Sequence, residues 1–194
     1  MYKDIKLFIG LGNPEQRLQL TRHNYGAIIL NEIAKSIDLS FKISYEKKIA
    51  FINYYKTCKS RIWLVKPIVP INLSGIPISL FMKYNKIDPK EIFVFYDDCS
   101  IQLGKYKIKM SGSSGGHNGI NSLIKYINSD NFARMKLGTG PVTQNLTMVK
   151  FVLSEFSYND SIKINFIKKI AIDIFNKINL IGLEKAVASI NQNK

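Results

Sequence analysis

The stretch Leu7–Gly26 constrains the fold of this chain more than any other part of its sequence. An apolar run ends in Gly10-Leu-Gly-Asn-Pro14, a polar loop follows, and Thr21-Arg-His-Asn24 precedes apolar residues at helical spacing. This order predicts a buried strand, a turn and the start of a helix. His23 stands at the mouth of this unit, where open α/β sheets place ligands. The alternative is that the glycines only turn the backbone and His23 is a surface residue.

Strand-like and helical patterns alternate along the rest of the chain. The predicted strands are Lys6–Leu11, Ile49–Thr57, Arg61–Val65, Ile92–Tyr96, Lys105–Met110 and Ala133–Leu137. The predicted helices are Tyr25–Ile37, a segment from Gly75 to about Tyr84, Gly119–Ile127, Ile162–Ile178 and Leu183–Ile190. This alternation predicts a single α/β domain over residues 1–194, built as a three-layer α/β/α sandwich with a mixed, mostly parallel, twisted sheet.

Polar residues follow several of the predicted strands. Asn13 with His23, Asn72, and Asp97 fall where strands end, so they can converge on one crevice. If His23 and Asp97 meet, the carboxylate fixes the imidazole tautomer and leaves the other ring nitrogen to take a proton from water. Together with Asn118, the two asparagines supply amides that can hold a peptide-like group, the water or a developing oxyanion. Taken one at a time, each asparagine also suits a turn or a helix cap.

The charge of the chain points to a polyanionic partner. Its 28 Lys and Arg against 14 Asp and Glu give a formal net charge of +14. Strict alternation places Lys105, Lys107 and Lys109 on one face of a predicted strand, and Arg134 and Lys136 share a face of another. These side chains can hold phosphates, although a solvated strand face gives the same pattern.

Several other classes of function are disfavoured by the sequence. Gly10-x-Gly12-x-x-Glu15 lacks the third glycine of a dinucleotide fingerprint. Gly112-Ser-Ser-Gly-Gly116 fits a nucleophile elbow formally, but the only later histidine, His117, is too close to fold back as a base. Two histidines without clustered thiols disfavour a zinc site, and Cys58 and Cys99 are interpreted as buried or incidental. With no apolar run of bilayer length, we expect a cytoplasmic protein that needs neither a metal nor a cofactor.

Four sequence blocks, in order and at the right spacing, resemble bacterial peptidyl-tRNA hydrolases. They are Gly10–Pro14 with Thr21–Gly26, Lys66-Pro67 with Asn72-x-Ser-Gly75, Asp97-Asp98 with Gly104, and Gly115–Gly119. The resemblance spans Lys6 to about Ile190 and implies a cofactor-free, usually monomeric esterase that cleaves the peptide from peptidyl-tRNA and so recycles tRNA.

The resemblance also assigns roles to residues. It implies that His23 is the catalytic base, that Asp97 orients it, and that Asn13 assists. The residues Ile71, Asn72 and Asn118 correspond to the substrate-binding positions of the family. The basic positions that hold the tRNA 5′ phosphate correspond to Lys107, Lys109 and Lys136, to which strand alternation adds Arg134. His117 also matches a family position and is interpreted as structural.

Some residues depart from the family pattern without removing a proposed catalytic group. They are Glu15, Leu18, Val69, Pro70, Ile71, Ser100 and Pro141. These departures change the walls of the expected peptide channel. Two other hypotheses therefore stay open: a catalytically silent RNA-binding relative, and a small-ester or amide hydrolase that does not act on tRNA.

Overall fold

The computed structural model describes residues 4–57, 60–142 and 146–191, so Cys58 lies outside the described residues. Its strands are β1 (Leu7–Gly10), β2 (Lys42–Ser44), β3 (Ile49–Thr57), β4 (Ser60–Pro67), β5 (Ile92–Gln102), β6 (Tyr106–Lys109) and β7 (Ala133–Gly140). Its α-helices are α1 (Tyr25–Ser36), α2 (Gly75–Asn85), α3 (Asn118–Ile127), α4 (Met148–Val152), α5 (Ser161–Ile181) and α6 (Leu183–Asn191). Short 3-10 turns include Arg22–Asn24 and Ile71–Leu73, which contain predicted site residues.

The described strands form one sheet in the order β2-β3-β4-β1-β5-β7-β6. Strand β1 runs parallel to both β4 and β5, and β5 runs parallel to β7. The pairs β2–β3, β3–β4 and β6–β7 are antiparallel. The mixed sheet is confirmed, but it is evenly mixed where the sequence predicted a mostly parallel one. Short connections join β2 to β3 and β3 to β4, and such connections produce antiparallel neighbours.

Helices cover both faces of the sheet, which confirms the three-layer arrangement. One core cluster includes Phe8 of β1 together with apolar residues of α1, α5 and α6. The other includes Leu7 and Ile9 of the same strand together with residues of α2 and α3. Alternate residues of β1 thus enter opposite cores, as the pleat of a strand buried on both faces requires.

Several elements differ from the sequence prediction, among them the short strand β2, which the sequence did not predict. Strand β5 continues beyond the apolar run to Gln102, because β7 pairs with Asp97 and Asp98 in register. Helix α4 was not predicted at all, since five residues are too few to show a helical period. Within the described residues, no helix combines the length and apolar character needed to cross a bilayer.

Close contact between α1 and β5 depends on the absence of a side chain at Gly26. A Cβ at this residue would lie 2.1 Å from the carbonyl oxygen of Phe95, two residues before Asp97. Glycine therefore lets the start of α1, directly after His23, pack on the strand that carries Asp97. This contact brings together two elements that hold candidate site residues.

We expect Gly26→Ala to lower the free energy of unfolding by about 2 kcal/mol or more, because a buried backbone contact has to open. Helix propensity alone predicts the opposite sign, a gain of about 1 kcal/mol. Urea unfolding followed by the fluorescence of Trp63, the single tryptophan, separates the two. Ala27→Gly, the reverse exchange at the next position, is the control, and a more stable Gly26→Ala would show that the contact is unimportant.

Candidate active site

The turn after β1 is fixed to the segment that carries His23 by two asparagines. The backbone N–H of Asn13 donates to Oδ1 of Asn24 at 2.8 Å, and Nδ2 of Asn24 donates to the carbonyl of Asn13 at 2.8 Å. The 3-10 turn Arg22–Asn24 then leads directly into α1. His23, in the middle of this turn, is thereby held beside the end of β1.

Asp97 of β5 accepts hydrogen bonds from both histidines of the chain. Nδ1 of His23 lies 3.0 Å from its Oδ1 and 3.1 Å from its Oδ2. Nε2 of His117 lies 3.0 Å from the same Oδ1. Asp97 is only 3% exposed, and the two imidazole rings are 4.9 Å apart between centroids. The predicted meeting of His23 and Asp97 is present, together with a second imidazole.

The tautomer of His117 follows from its position at the start of α3. Its Nδ1 accepts the backbone N–H of Ile120 at 3.2 Å, as an N-cap residue does. The proton of the neutral ring is therefore on Nε2, which donates to Asp97. Gly115 and Gly116 have φ of +59° and +84°, which favour glycine and complete the loop before this cap. His117 is thus structural, as interpreted from the sequence, and it is also part of the site, which the sequence analysis missed.

The environment of Asp97 keeps its carboxyl ionised. Burial raises the pKa of Asp97, but the hydrogen bonds and charge of His117 and His23 lower it by more. The pKa therefore lies well below its ordinary value. A carboxylate against Nδ1 of His23 fixes the tautomer and orientation of that ring. In the described part of the chain, Nε2 of His23 has no hydrogen-bond partner, so it is the nitrogen that can accept a proton from water.

These three side chains are also a candidate for metal binding. Ligand atoms of His23, Asp97 and His117 all lie within 4.8 Å of one another. A metal on Nε2 of His117 would require that nitrogen to lose its proton. The proton could not move to Nδ1, because Nδ1 already accepts the N–H of Ile120. The hydrogen-bond pattern therefore suits proton transfer better than metal coordination.

Asn13 and Ile71 are joined by a hydrogen bond. The Oδ1 atom of Asn13 accepts the backbone N–H of Ile71 at 2.9 Å, which identifies the Nδ2 amide as the group left to donate elsewhere. Ile71 is buried, and the next residue, Asn72, is exposed in the same 3-10 turn. A Cβ at Gly119 would lie 3.0 Å from Cγ1 of Ile71 and 3.0 Å from Cε1 of His117. Gly119 thus lets the Asn13–Ile71 unit approach the histidine cluster.

A cavity of about 180 Å³ lies beside the histidine cluster. His23, Asp97 and Asn118 line it, and so do Tyr96 and residues of α4. Asn13 borders a separate cavity of about 670 Å³, which also contains Lys66. Of the predicted residues, His23, Asp97 and Asn118 therefore share one recess, while Asn13 borders the other cavity and bonds the 3-10 turn that contains Ile71 and Asn72.

The predicted basic residues differ strongly in exposure. Lys107 and Lys109 of β6 are exposed, and in register they face Lys136 and Arg134 of β7. Lys136 donates to Oδ2 of Asp98 at 2.7 Å. Burial lowers the pKa of Lys136, but Asp98 and Tyr96 together raise it by more, so the pKa lies above its usual value. Both Lys107 and Lys109 are open to solvent at this edge of the sheet, beside a half-buried ion pair.

The prediction that Arg134 contacts RNA is wrong, because Arg134 is only 1% exposed. Its guanidinium donates to the carbonyls of Asp130 at 2.7 Å, Phe132 at 3.4 Å and Ser113 at 3.4 Å, and it lies 4.0 Å from the Phe132 ring centroid. Strand alternation correctly predicts the face of the sheet on which the Arg134 side chain lies, but the loops around β7 cover that face at this position.

Most departures from the family pattern lie at or near the surface. Ser100 donates its backbone N–H and its hydroxyl to Oδ1 of Asp98, at 2.9 and 2.6 Å. Glu15, Pro70 and Pro141 are exposed, whereas Leu18 and Val69 are partly buried. Cys99 is partly buried, and its Sγ lies 3.0 Å from Sδ of Met148 in α4.

Comparison with known proteins gives a consistent result. The chain is 34% identical over 189 residues to the peptidyl-tRNA hydrolase of Aquifex aeolicus, with 97% of each chain covered. Its fold matches the crystal structure of the Acinetobacter baumannii peptidyl-tRNA hydrolase at a TM-score of 0.85 and 24% identity, over 99% of this chain and 95% of that one. A crystal structure of a peptidyl-tRNA hydrolase complex with N-propanol matches equally well, with the same TM-score, identity and coverage. Since the family model for peptidyl-tRNA hydrolase matches residues 7–194, this chain belongs to the peptidyl-tRNA hydrolase family.

Proposed function

We propose that this protein hydrolyses the ester bond between the peptide and the tRNA of peptidyl-tRNA, with His23 as the general base. The observation that carries the proposal is the buried Asp97 carboxylate on Nδ1 of His23, in a chain of this family. The carboxylate orients the ring and stabilises its protonated form, while Nε2 stays available to water. Action as a cytoplasmic monomer, which the resemblance implies, is part of the same proposal.

The reaction needs one proton to move twice. Nε2 of His23 takes a proton from water as the water oxygen attacks the ester carbonyl carbon, and the carbonyl oxygen becomes an oxyanion. The bond between that carbon and the ribose oxygen then breaks, and the ribose oxygen takes the proton back from His23. A carboxylic acid and a tRNA hydroxyl result, without a covalent enzyme intermediate.

Amide groups near the recess suit the developing oxyanion. Nδ2 of Asn13 is the donor left over when Ile71 occupies Oδ1, so its orientation is set before substrate arrives. Asn118 lines the cavity of His23, and the exposed Asn72 lies next to Ile71. We assign all three to holding the substrate and the attacking water, with Ile71 as part of the wall. Preorganised donors of this kind are often the largest contribution to the rate.

Lysines at the β6 edge supply the electrostatic part of the proposal. Lys107 and Lys109 are exposed and strand pairing places Lys107 opposite Lys136, so their charges can act on one phosphate group. To bind phosphate, Lys136 has to share its ammonium group with Asp98 or leave it. Contacts with phosphate position the tRNA, and the ester is selected by the recess.

We expect His23→Ala to lower the turnover of N-acetylated aminoacyl-tRNA by about 100- to 10,000-fold, because the general base is lost. Affinity for the tRNA should stay within about twofold, since the phosphate contacts lie elsewhere. Single-turnover release of the acetylated amino acid and filter binding measure the two quantities. Asn121→Ala, an exposed change on α3, is the matched control.

Two of the functional hypotheses, the hydrolase and the silent relative, give different outcomes in this experiment. Turnover by the wild type and loss of it in His23→Ala support the proposal. Binding without turnover by the wild type would identify a catalytically silent RNA-binding relative. Normal turnover by His23→Ala would contradict the assignment of the base.

We expect Lys107→Ala and Lys109→Ala each to reduce the slope of log affinity against log salt by about one, because one phosphate contact is lost. The measurement is tRNA binding between low and moderate salt. Lys83→Ala removes an exposed lysine of α2 and should leave the slope unchanged. Salt-independent hydrolysis of a small ester that is insensitive to Lys107 would instead favour a hydrolase without a tRNA role.

A further inference from the structure

Helix α4 forms one wall of the recess, although it cannot hold its own position. Met148, Val149 and Val152 line the cavity that contains His23, and Phe151 of the same helix is buried. A helix of five residues is far too short to be stable alone. The location of this wall must therefore be set by contacts with the rest of the chain.

Arg22, the residue before His23, supplies most of these contacts. Its backbone N–H donates to the carbonyl of Ser154 at 3.0 Å, and Thr21 bridges to Glu155. Its Nη1 lies 2.8 Å from the Ser154 hydroxyl and 3.3 Å from the Ser154 carbonyl, and it also donates to the carbonyl of Glu155. Nη2 lies 3.5 Å from Oδ2 of Asp160. These bonds fasten the chain directly after α4 to the turn that carries His23.

Two aromatic rings enclose the same guanidinium. Its carbon lies 4.8 Å from the ring centroid of Phe151 in α4 and 5.1 Å from that of Phe156. A planar group with several donors fits between rings and neutral acceptors, whereas a lysine ammonium offers charge without that shape. At the other end of α4, the Cys99–Met148 sulfur contact is a weak attachment. Arg22 is thus the main anchor of the helix.

The arrangement is not optimised for stability alone. Burial lowers the pKa of Arg22, and Asp160 offsets only part of this effect. The Nε atom of Arg22 is buried without a hydrogen-bond partner in the described chain. A desolvated guanidinium with one unsatisfied donor is a costly way to fix a surface helix. Such a cost is understandable where the position of the helix matters for function.

We propose that Arg22 is a positioning residue that holds α4 against the recess and thereby sets the affinity for the peptide end of the substrate. The guanidinium acts through Phe151 and residues 154–155 and does not touch substrate. The kinetic part of this inference rests on the proposed function, whereas the position of α4 can be tested without substrate.

Hydrogen exchange tests the attachment directly. In Arg22→Lys, we expect amides of residues 148–156 to exchange about tenfold faster, while those of β5 and α1 stay unchanged. Arg61→Lys is the matched control, because Arg61 also lies on an aromatic ring, that of Trp63 at 5.4 Å, away from α4. Unchanged exchange in residues 148–156 would overturn the anchoring role.

Steady-state kinetics with N-acetylated aminoacyl-tRNA separates positioning from a merely structural role. We expect Arg22→Lys to raise KM about tenfold with a smaller fall in kcat, because the wall is displaced while His23 keeps its Asp97 partner. Partial unfolding would instead lower the apparent kcat in proportion to the folded fraction and leave KM unchanged, which would contradict the proposal. A wild type that exchanges as expected but does not turn over would refute the proposed function and leave the anchor standing.

A milder variant keeps the test valid if Arg22→Lys folds poorly. Ser154→Ala removes one acceptor of the guanidinium, and we expect it to raise KM about threefold. Combined with Arg22→Lys, its effect on KM should be smaller than the product of the two single effects, because both act on one contact. Fully multiplicative effects would show that Ser154 and Arg22 act independently, and this would overturn the proposal that both act through their shared hydrogen bond.

Discussion

The candidate site depends on one buried carboxylate that two N–H donors share. An unpaired carboxylate as buried as Asp97 would cost several kcal/mol. His23 approaches it from the turn before α1, and His117 approaches it from the start of α3. Asp97 thus connects two segments that lie on different sides of β5. Satisfying its charge assembles the recess and, in the same step, fixes the ring that we propose as the base.

Close backbone approach makes this convergence possible. Gly26 allows α1 to contact the backbone of β5 at Phe95, and Gly119 lies close to the side chain of Ile71. A side chain at Gly26 would push α1 away from β5, whereas one at Gly119 would meet only the ends of neighbouring side chains. The effect of Gly26→Ala on unfolding therefore reports on the same contact that positions His23. Stability and the geometry of the candidate site are therefore coupled through the backbone contact at Gly26 as well as through the polar residues.

Much of this arrangement could be predicted from local patterns, because the apolar run before Asp97 and the helical period after His23 locate the starts of β5 and α1, although β5 continues past Asp97 to Gln102. The face on which Arg134 lies also follows from alternation. Alternation does not show whether that face is covered, because this depends on the loops around Asp130 and Ser113, whose sequences have no helical or strand periodicity. The sequence indicated that His117 matches a family position. Its hydrogen bond to Asp97 could not be predicted, because it depends on the conformation of the loop that contains Gly115 and Gly116. The hydrogen bond between Arg22 and Ser154 joins residues 132 positions apart, so no local sequence pattern could predict it.

Strand geometry also separates two kinds of chemistry at this site. Successive side chains of a strand point to opposite faces, so Asp97 and Asp98 face different partners. Asp97 meets the histidines, and Asp98 holds Lys136 opposite the exposed Lys107. Neighbouring residues of β5 thus hold the two parts of the proposed site: Asp97 holds the proposed base, and Asp98 holds the lysine that β7 pairs with the β6 edge. In the proposed reaction, this strand fixes the distance between tRNA recognition and ester cleavage, so a change in charge at the β6 edge need not disturb the base.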